Sequence, residues 1–365
     1  MGLALRDQDL AAVSEPFRDG EFGGDATRVI LSRLGWPAHV AYDLYDEFFG
    51  DLSEDVLGFG WWKDQLDTRQ RVLISDYLVG LASEFPDALL QGWLHLSSWR
   101  ELREAEDNGR RWRVGDTRWY VTPPGSPADT VPKAEQDAHL AGFFRAVGTV
   151  LDVLGALTVG VGGLDTRLRR ADWGRARLML DQDGYRVVAD ALRLQEAVDQ
   201  SGPPDWDDWT VAMRNTLVHR PQRMTWIHLR TPLQVGPRST IYLTADPGFS
   251  EIENMRFHGS AAGALLHEDA DQTLAGVYTS AWSVAEILIP RLVELWRNRR
   301  QGTVNVAQPS TQWESDLPAR LSFRGYAKNS RPMAKDAKEV VLNPTQGHRF
   351  RAAAIFASQR HHWDL

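Results

Sequence analysis

The sequence predicts a mainly α-helical protein with small β elements, and three observations carry that expectation. Apolar residues recur at three- and four-residue spacing through several long segments. Six of the 15 Trp (Trp93, Trp99, Trp206, Trp209, Trp282 and Trp296) lie inside those periodic segments, as side chains packed between helices do. The stretches that read as extended are short. At 365 residues the chain is long enough for a full hydrophobic core and two domains.

Taken in order, "AHVAYDLYDEFFGDL" (38–52) and "RQRVLISDYLVGLASEFPDALLQGWLHLSSWRELREAE" (69–106) carry helical apolar spacing, and Pro86 is expected to divide the second. "RRWRVGDTRWYV" (110–121) alternates about a Gly-Asp turn and reads as a hairpin, and "TPPGSPADTVP" (122–132) as a linker. Residues 133–161 form a long apolar helix and 184–200 a shorter one. "SGPPDWDDWTVAMRNTLVHRP" reads as a helix opened by Pro204 and Asp205 and closed before Pro221. "TWIHLRTPLQV" and "RSTIYLTADPG" are extended, and residues 268–300 make the last long helix, bent at Pro290. Beyond Gly302 the chain turns polar, with "RLSFRGYAKN" and "GHRFRAAAIFA" as short strands or a partly disordered tail. The expected organisation is an N-terminal helical domain (1–125), a helical bundle (126–301) and a C-terminal appendage (302–365).

Composition excludes several classes. With no Cys, neither a disulfide framework nor a thiolate metal site is possible. The N-terminus lacks the basic stretch, apolar core and cleavage site of a signal peptide, and no apolar run is expected to span a membrane, so a cytoplasmic protein is expected. The net charge of −8 argues against a general nucleic-acid coat. Residues 1–60 hold 12 Asp and Glu against 4 Arg, which accounts for all of it. From Trp209 to Ala245, by contrast, there is no acid and there are five arginines, Arg214, Arg220, Arg223, Arg230 and Arg238. That window suits a local polyanion site; the alternative is a solvated basic loop paired with the acidic N-terminal region.

Within it lies "MRNTLVHRP" (213–221). On a helix at about 100° per residue, Trp206, Trp209, Met213 and Leu217 form one buried stripe. Asp207, Asp208, Arg214, Asn215 and His219 fall on the other side, with Asn215 and His219 one turn apart. These residue types suit phosphodiester cleavage. Imidazole titrates near neutrality and can take a proton from a 2′-hydroxyl or give one to the leaving oxygen. Guanidinium forks onto phosphate and keeps its charge throughout. One helix supplies one of each, and a two-fold dimer would double the set. The alternative is a solvated Arg-Asn pair with His219 favouring the helix C-terminal dipole.

"RNTLVH" resembles the Arg-polar-x3-His signature of HEPN domains, the helical bundles of many microbial RNases, toxin–antitoxin toxins and abortive-infection proteins. The likeness covers roughly 133–300. It implies a homodimer with the site in the dimer cleft, an RNA substrate, no cofactor and no metal, and cleavage that leaves a 2′,3′-cyclic phosphate. Carried over, Arg214 holds the phosphate, His219 performs acid–base work and Asn215 positions them. Arg220, where some relatives carry Tyr, and Arg223 add RNA-binding charge, and an antitoxin or other regulatory protein is a further partner. The same resemblance also fits a non-catalytic module that binds RNA, a nucleotide or a protein, and a purely structural scaffold stands as the third reading. A second Arg-x4-His, Arg223 to His228, has Met224 in place of the polar residue and reads as strand. "HEDAD" (267–271) gathers His267, Glu268, Asp269 and Asp271 without a second histidine at metalloprotease spacing, and reads as acids opening a helix. "GVGG" (160–163) reads as a helix end, and the terminal "RHHWDL" offers only adventitious metal binding.

Overall fold

The computed structural model describes residues 68–111, 127–167, 170–219, 226–230, 239–260 and 263–303, together with Leu44, Glu47 and Phe48. Among these, helices dominate and one strand pair is present, so the protein is mainly α. The elements are α1 (Thr68–Arg111), α2 (Pro127–Gly162), α3 (Trp173–Leu180), a 3-10 turn (Asp183–Tyr185), α4 (Arg186–Leu192), α5 (Leu194–Ser201), α6 (Trp206–His219), β1 (Trp226–Arg230), β2 (Ser239–Leu243), α7 (Glu251–His258) and α8 (Ala270–Arg300). The strands pair antiparallel, with His228 opposite Ile241.

Several sequence expectations change. Pro86 does not divide its segment: α1 continues through it, with Leu78, Val79, Ala82 and Phe85 buried before it and Ala88, Leu89, Trp93, Leu96 and Trp99 after. A proline removes one backbone hydrogen bond, and burial on both sides outweighs that loss. The expected linker at 122–132 is helical from Pro127 onward, because proline is tolerated where a helix starts. The expected helix at 184–200 is two helices, broken at Arg193, whose φ of 43° is left-handed. Helices α3 and α7 were not expected. For α7 the signal was present, since Ser250 and Glu253 form a capping box, each side chain taking the other's backbone N–H. The expected helix end at 160–163 is found, with Gly163 at φ 61°. The first two residues of the expected hairpin (110–121) close α1 instead, and the rest of it, most of 38–52 and the C-terminal appendage beyond Thr303 lie outside the described residues.

By contact density the described residues form two units, to both of which α1, α2 and α8 contribute. In one, which holds the chain up to Ser83, Ala156–Ala171 and the chain from Trp296, Phe48 meets Trp296 edge-on at 5.1 Å. Glu47 there accepts from Arg297 and Arg300 at 2.7 and 2.8 Å. Buried Arg299 donates to the carbonyls of Gly160 and Val161, satisfying the last turn of α2, and burial pushes its pKa down to about 10.

The other unit, Glu84–Gly155 with Asp172–Leu295, contains the candidate site. Its core is built on α2, where Leu140, Phe143, Phe144, Val147, Val150, Leu151 and Leu154 are buried. By length and composition alone α2 from Val131 to Gly162 could cross a membrane, but most of its apolar window is buried inside the protein.

Candidate functional site

Helix α6 is seated by polar bonds made from its apolar side. Trp206 and Met213 are buried, Trp209 and Leu217 half-buried, and Thr210 and Thr216 complete the buried stripe. Trp206 Nε1 donates to the Val198 carbonyl at 3.2 Å and Trp209 Nε1 to the Thr244 carbonyl at 3.1 Å. Thr216 Oγ1 donates to the Pro247 carbonyl at 2.7 Å. Each bond satisfies a polar group that would otherwise be buried alone, so rotation of α6 about its axis is opposed on two flanks.

Asp207 corrects the sequence reading. Expected on the solvated side, it is 1% exposed and accepts from Trp173 Nε1 and Arg177 Nη1, both at 2.7 Å. A carboxylate leaves water only where donors replace it, and α3 supplies both. Asp208 remains exposed and takes a second bond from Arg177 at 2.9 Å.

Arg214 leaves α6 on the flank that faces α2. Its side chain crosses Gly148 so closely that a Cβ there would stand 2.4 Å from Arg214 Cδ. Nη1 then donates to Asp152 Oδ2, and Nε and Nη2 donate to the Asn215 amide oxygen at 3.3 and 3.2 Å. Gly148 and Asp152 are one helical turn apart on α2, the first making room for the arginine stem and the second receiving its head. Asp152 Oδ1 also accepts the Trp173 backbone N–H at 3.4 Å. Burial pushes the Asp152 carboxyl above its usual range, against the charge and hydrogen bond of Arg214.

Asn215 is exposed, with its oxygen turned to Arg214. His219 is the last residue of α6; its side chain, with Arg220 and Arg223, lies outside the described residues. Helical geometry puts Arg214 about 160° from Thr216, and His219 about 60° from Thr216 on the nearer side. Arg214 thus anchors on α2, while Thr216 anchors the opposite flank of the same helix on the segment before α7.

The "HEDAD" acids are engaged in opening α8. Asp269 takes two bonds from Arg103 at 2.6 and 2.7 Å and the Asp271 backbone N–H at 2.8 Å. Asp271 pairs with Arg100 at 2.5 Å, and Glu268 accepts from Thr273 at 3.1 Å.

Sequence reasoning missed Asp152. It carries the only charge between Arg145 and Asp165, a lone acid in an apolar run, and that was a readable signal. A carboxylate on a core helix implies a basic partner, although pairing it with Arg214 requires the fold. No protein-family model matches this chain, and no curated protein or solved structure matches it either.

Proposed function

We propose that this protein is a metal-independent endoribonuclease of the HEPN type that acts as a homodimer, in the role of a toxin or phage-defence effector. The observation that carries the reading is Arg214, held between Asp152 and Asn215 on the helix that ends at His219. A guanidinium fixed on two sides is preorganised, and it carries more N–H groups than those three bonds use. The free ones can take a phosphate oxygen. His219, at a helix C-terminus where the dipole favours its protonated form, gives or takes the proton. The substrate's own 2′-hydroxyl attacks phosphorus, and the products are a 2′,3′-cyclic phosphate and a 5′-hydroxyl. Pairing two copies of α6 would bring a second Arg–His set to one cleft.

The test is cleavage of a short labelled RNA in EDTA by the purified full chain, with Arg214→Ala and His219→Ala alongside. Each substitution is expected to abolish cleavage in a folded protein, and RNA carrying 2′-deoxy at the cleaved nucleotide is expected to stay intact. Wild-type cleavage by folded His219→Ala would refute the reading.

A second reading has an observation of its own. Asp152 already neutralises Arg214, which suits a structural arginine in a non-catalytic module binding RNA, a nucleotide or a protein. Under that reading the folded wild-type chain binds RNA or a partner without cutting it, and Arg214→Ala acts on stability alone.

A further inference from the structure

Helix α2 has two glycine notches, and a side chain from a neighbouring helix lies in each. At Gly148 the occupant is the stem of Arg214 from α6. At Gly142 it is the ring of His95 from α1, 2.4 Å from where a Cβ would stand. That ring meets His139 of α2, Nδ1 to Nδ1, at 3.1 Å. The notches are six residues, and so about 9 Å, apart along the helix axis. Arg145 stands midway, three residues from each glycine and about 60° from each around the axis. Unlike Arg214 it is exposed, and among the described residues its side chain makes no hydrogen bond and no ion pair. The His95 pKa is lowered by burial, then by the charges of His139 and Arg145, so the Arg145 guanidinium lies within electrostatic reach of that ring.

The acids around this stretch give it a direction. Between Asp137 and Asp152 the chain has none. Asp152 lies two turns beyond Arg145 on nearly the same line of α2, where it takes Arg214 and the backbone N–H of Trp173. Asp172, the cap of α3 and the neighbour of Trp173, adds a second carboxylate at that end. Toward the start of α2 the next charged group is the arginine. Two guanidinium groups with one carboxylate between them leave a net positive charge, which suits a polyanion that presents one charge per nucleotide. An anionic strand held at Arg214 is repelled by the Asp152–Asp172 end and drawn toward Arg145.

We propose, resting on the reading above that Arg214 takes an RNA phosphate, that Arg145 holds a neighbouring phosphate of the same strand, so that the backbone runs from Arg214 along α2 toward its start. A contact of this kind fixes the strand in place and reads no base. Arg145 is then a positioning residue, which supplies part of the affinity for RNA and none of the choice of sequence.

The experiment is fluorescence anisotropy of short labelled single-stranded RNAs of several sequences, 2′-O-methylated throughout so that they stay uncut, titrated with the full chain between about 50 and 200 mM salt. Arg145→Gln is expected to weaken binding about tenfold for every sequence. It should also flatten the slope of log affinity against log salt by about 0.7, as the loss of one phosphate contact on a single strand does. Arg145→Lys should keep the parent's slope, because it keeps the charge, and a contribution made through folding alone would not follow charge in this way. Folded Arg145→Gln with the parent's affinity and slope would overturn the assignment, and Arg214→Gln measured beside it shows whether Arg214 stands. An equal loss of affinity and slope in Arg145→Gln and Arg145→Lys would overturn it as well. A parent that binds none of these RNAs and cuts no unmodified RNA overturns the reading of Arg214 together with it.

Discussion

Arg214 reaches across Gly148 to pair with Asp152, so the residue expected to hold a phosphate is first held by a carboxylate of its own chain. The pair is half-buried, with side-chain exposures of 22% and 32%. It serves either to preorganise a guanidinium or to lock two helices together. The substitutions below bear on that choice and on the fold that presents the pair.

Gly148→Ala places a methyl group where Arg214 Cδ now lies. Alanine gains ~1 kcal/mol of helix propensity over glycine, which offsets part of the loss of the ion pair. Thermal stability is therefore expected to move by no more than ~1 kcal/mol either way. RNA cleavage, if the arginine is catalytic, falls at least as far as in Arg214→Lys. Calorimetry and the cleavage assay on one preparation separate the two outcomes.

Arg214→Ala is expected to raise the Asp152 carboxyl further above the usual range, because the substitution leaves burial in place and removes the charge that opposes it. The raised value means the folded state holds a proton that the unfolded chain has lost. Stability contributed here is largest in acid and declines as pH rises through the window between the ordinary and raised values. A carbon-detected titration of the Asp152 carboxyl reads the shift directly. A lower value in the variant would contradict the pairing.

Asp269 behaves in the opposite sense. Burial raises its carboxyl, but hydrogen bonds from Arg103 and the backbone of Asp271 and Ile241, with the Arg103 charge, hold it below the usual range. Its stabilisation is complete above the ordinary carboxylate pKa and is lost as pH falls through the lowered one. Asp269→Asn should cost ~1–3 kcal/mol at neutral pH, through weakened charge-assisted bonds and a weakened helix start. It should also flatten the acid limb of a pH series of urea unfolding curves.

His95 and His139 bring their Nδ1 atoms within 3.1 Å, a distance at which one proton is shared and two repel. Burial, then the charges of His139 and Arg145, lower the His95 pKa. The unfolded chain protonates first on acidification, so this unit should lose stability as pH drops below about 6.5 and through the lowered value. His139→Gln should make that decline shallower. An unchanged slope between pH 8 and pH 5 would count against the shared proton.

Gly155 on α2 lies against the start of α3, where a Cβ would stand 2.5 Å from the Asp172 carbonyl oxygen. Backbone cannot rotate aside as a side chain can. Gly155→Ala should destabilise by ~1–3 kcal/mol, as overpacking does. Gly184→Ala, with nothing within 4 Å of its Cβ, should lie within ~0.5 kcal/mol of the parent.

Periodicity was enough for the long helices. The spacing of Trp206 and Met213, and the apolar run before Gly162, placed α6 and α2 without coordinates, because a helix buries one stripe and the stripe is written at 3.6-residue intervals. The extended reading of 225–235 and 238–248 likewise matched β1 and β2. Punctuation was less reliable. Pro86 signalled a break that tertiary packing overrides, the linker reading of 122–132 missed the helix start at Pro127, and Arg193 made a break that no residue type signalled.

Which polar groups are buried, and with whom, lay beyond the sequence. Asp207 looked solvated until α3 brought Trp173 and Arg177 to it, and Asp152 had no visible partner until Gly148 let Arg214 through. Asp246 and His258, twelve residues apart, meet only because Thr216 and Asn254 hold the intervening turn in place. Apolar burial is non-directional and depends on local pattern, so it is legible one segment at a time. Ion pairs and hydrogen bonds require two groups at a fixed distance and angle, and residues remote in sequence acquire that geometry only when the helices carrying them have packed.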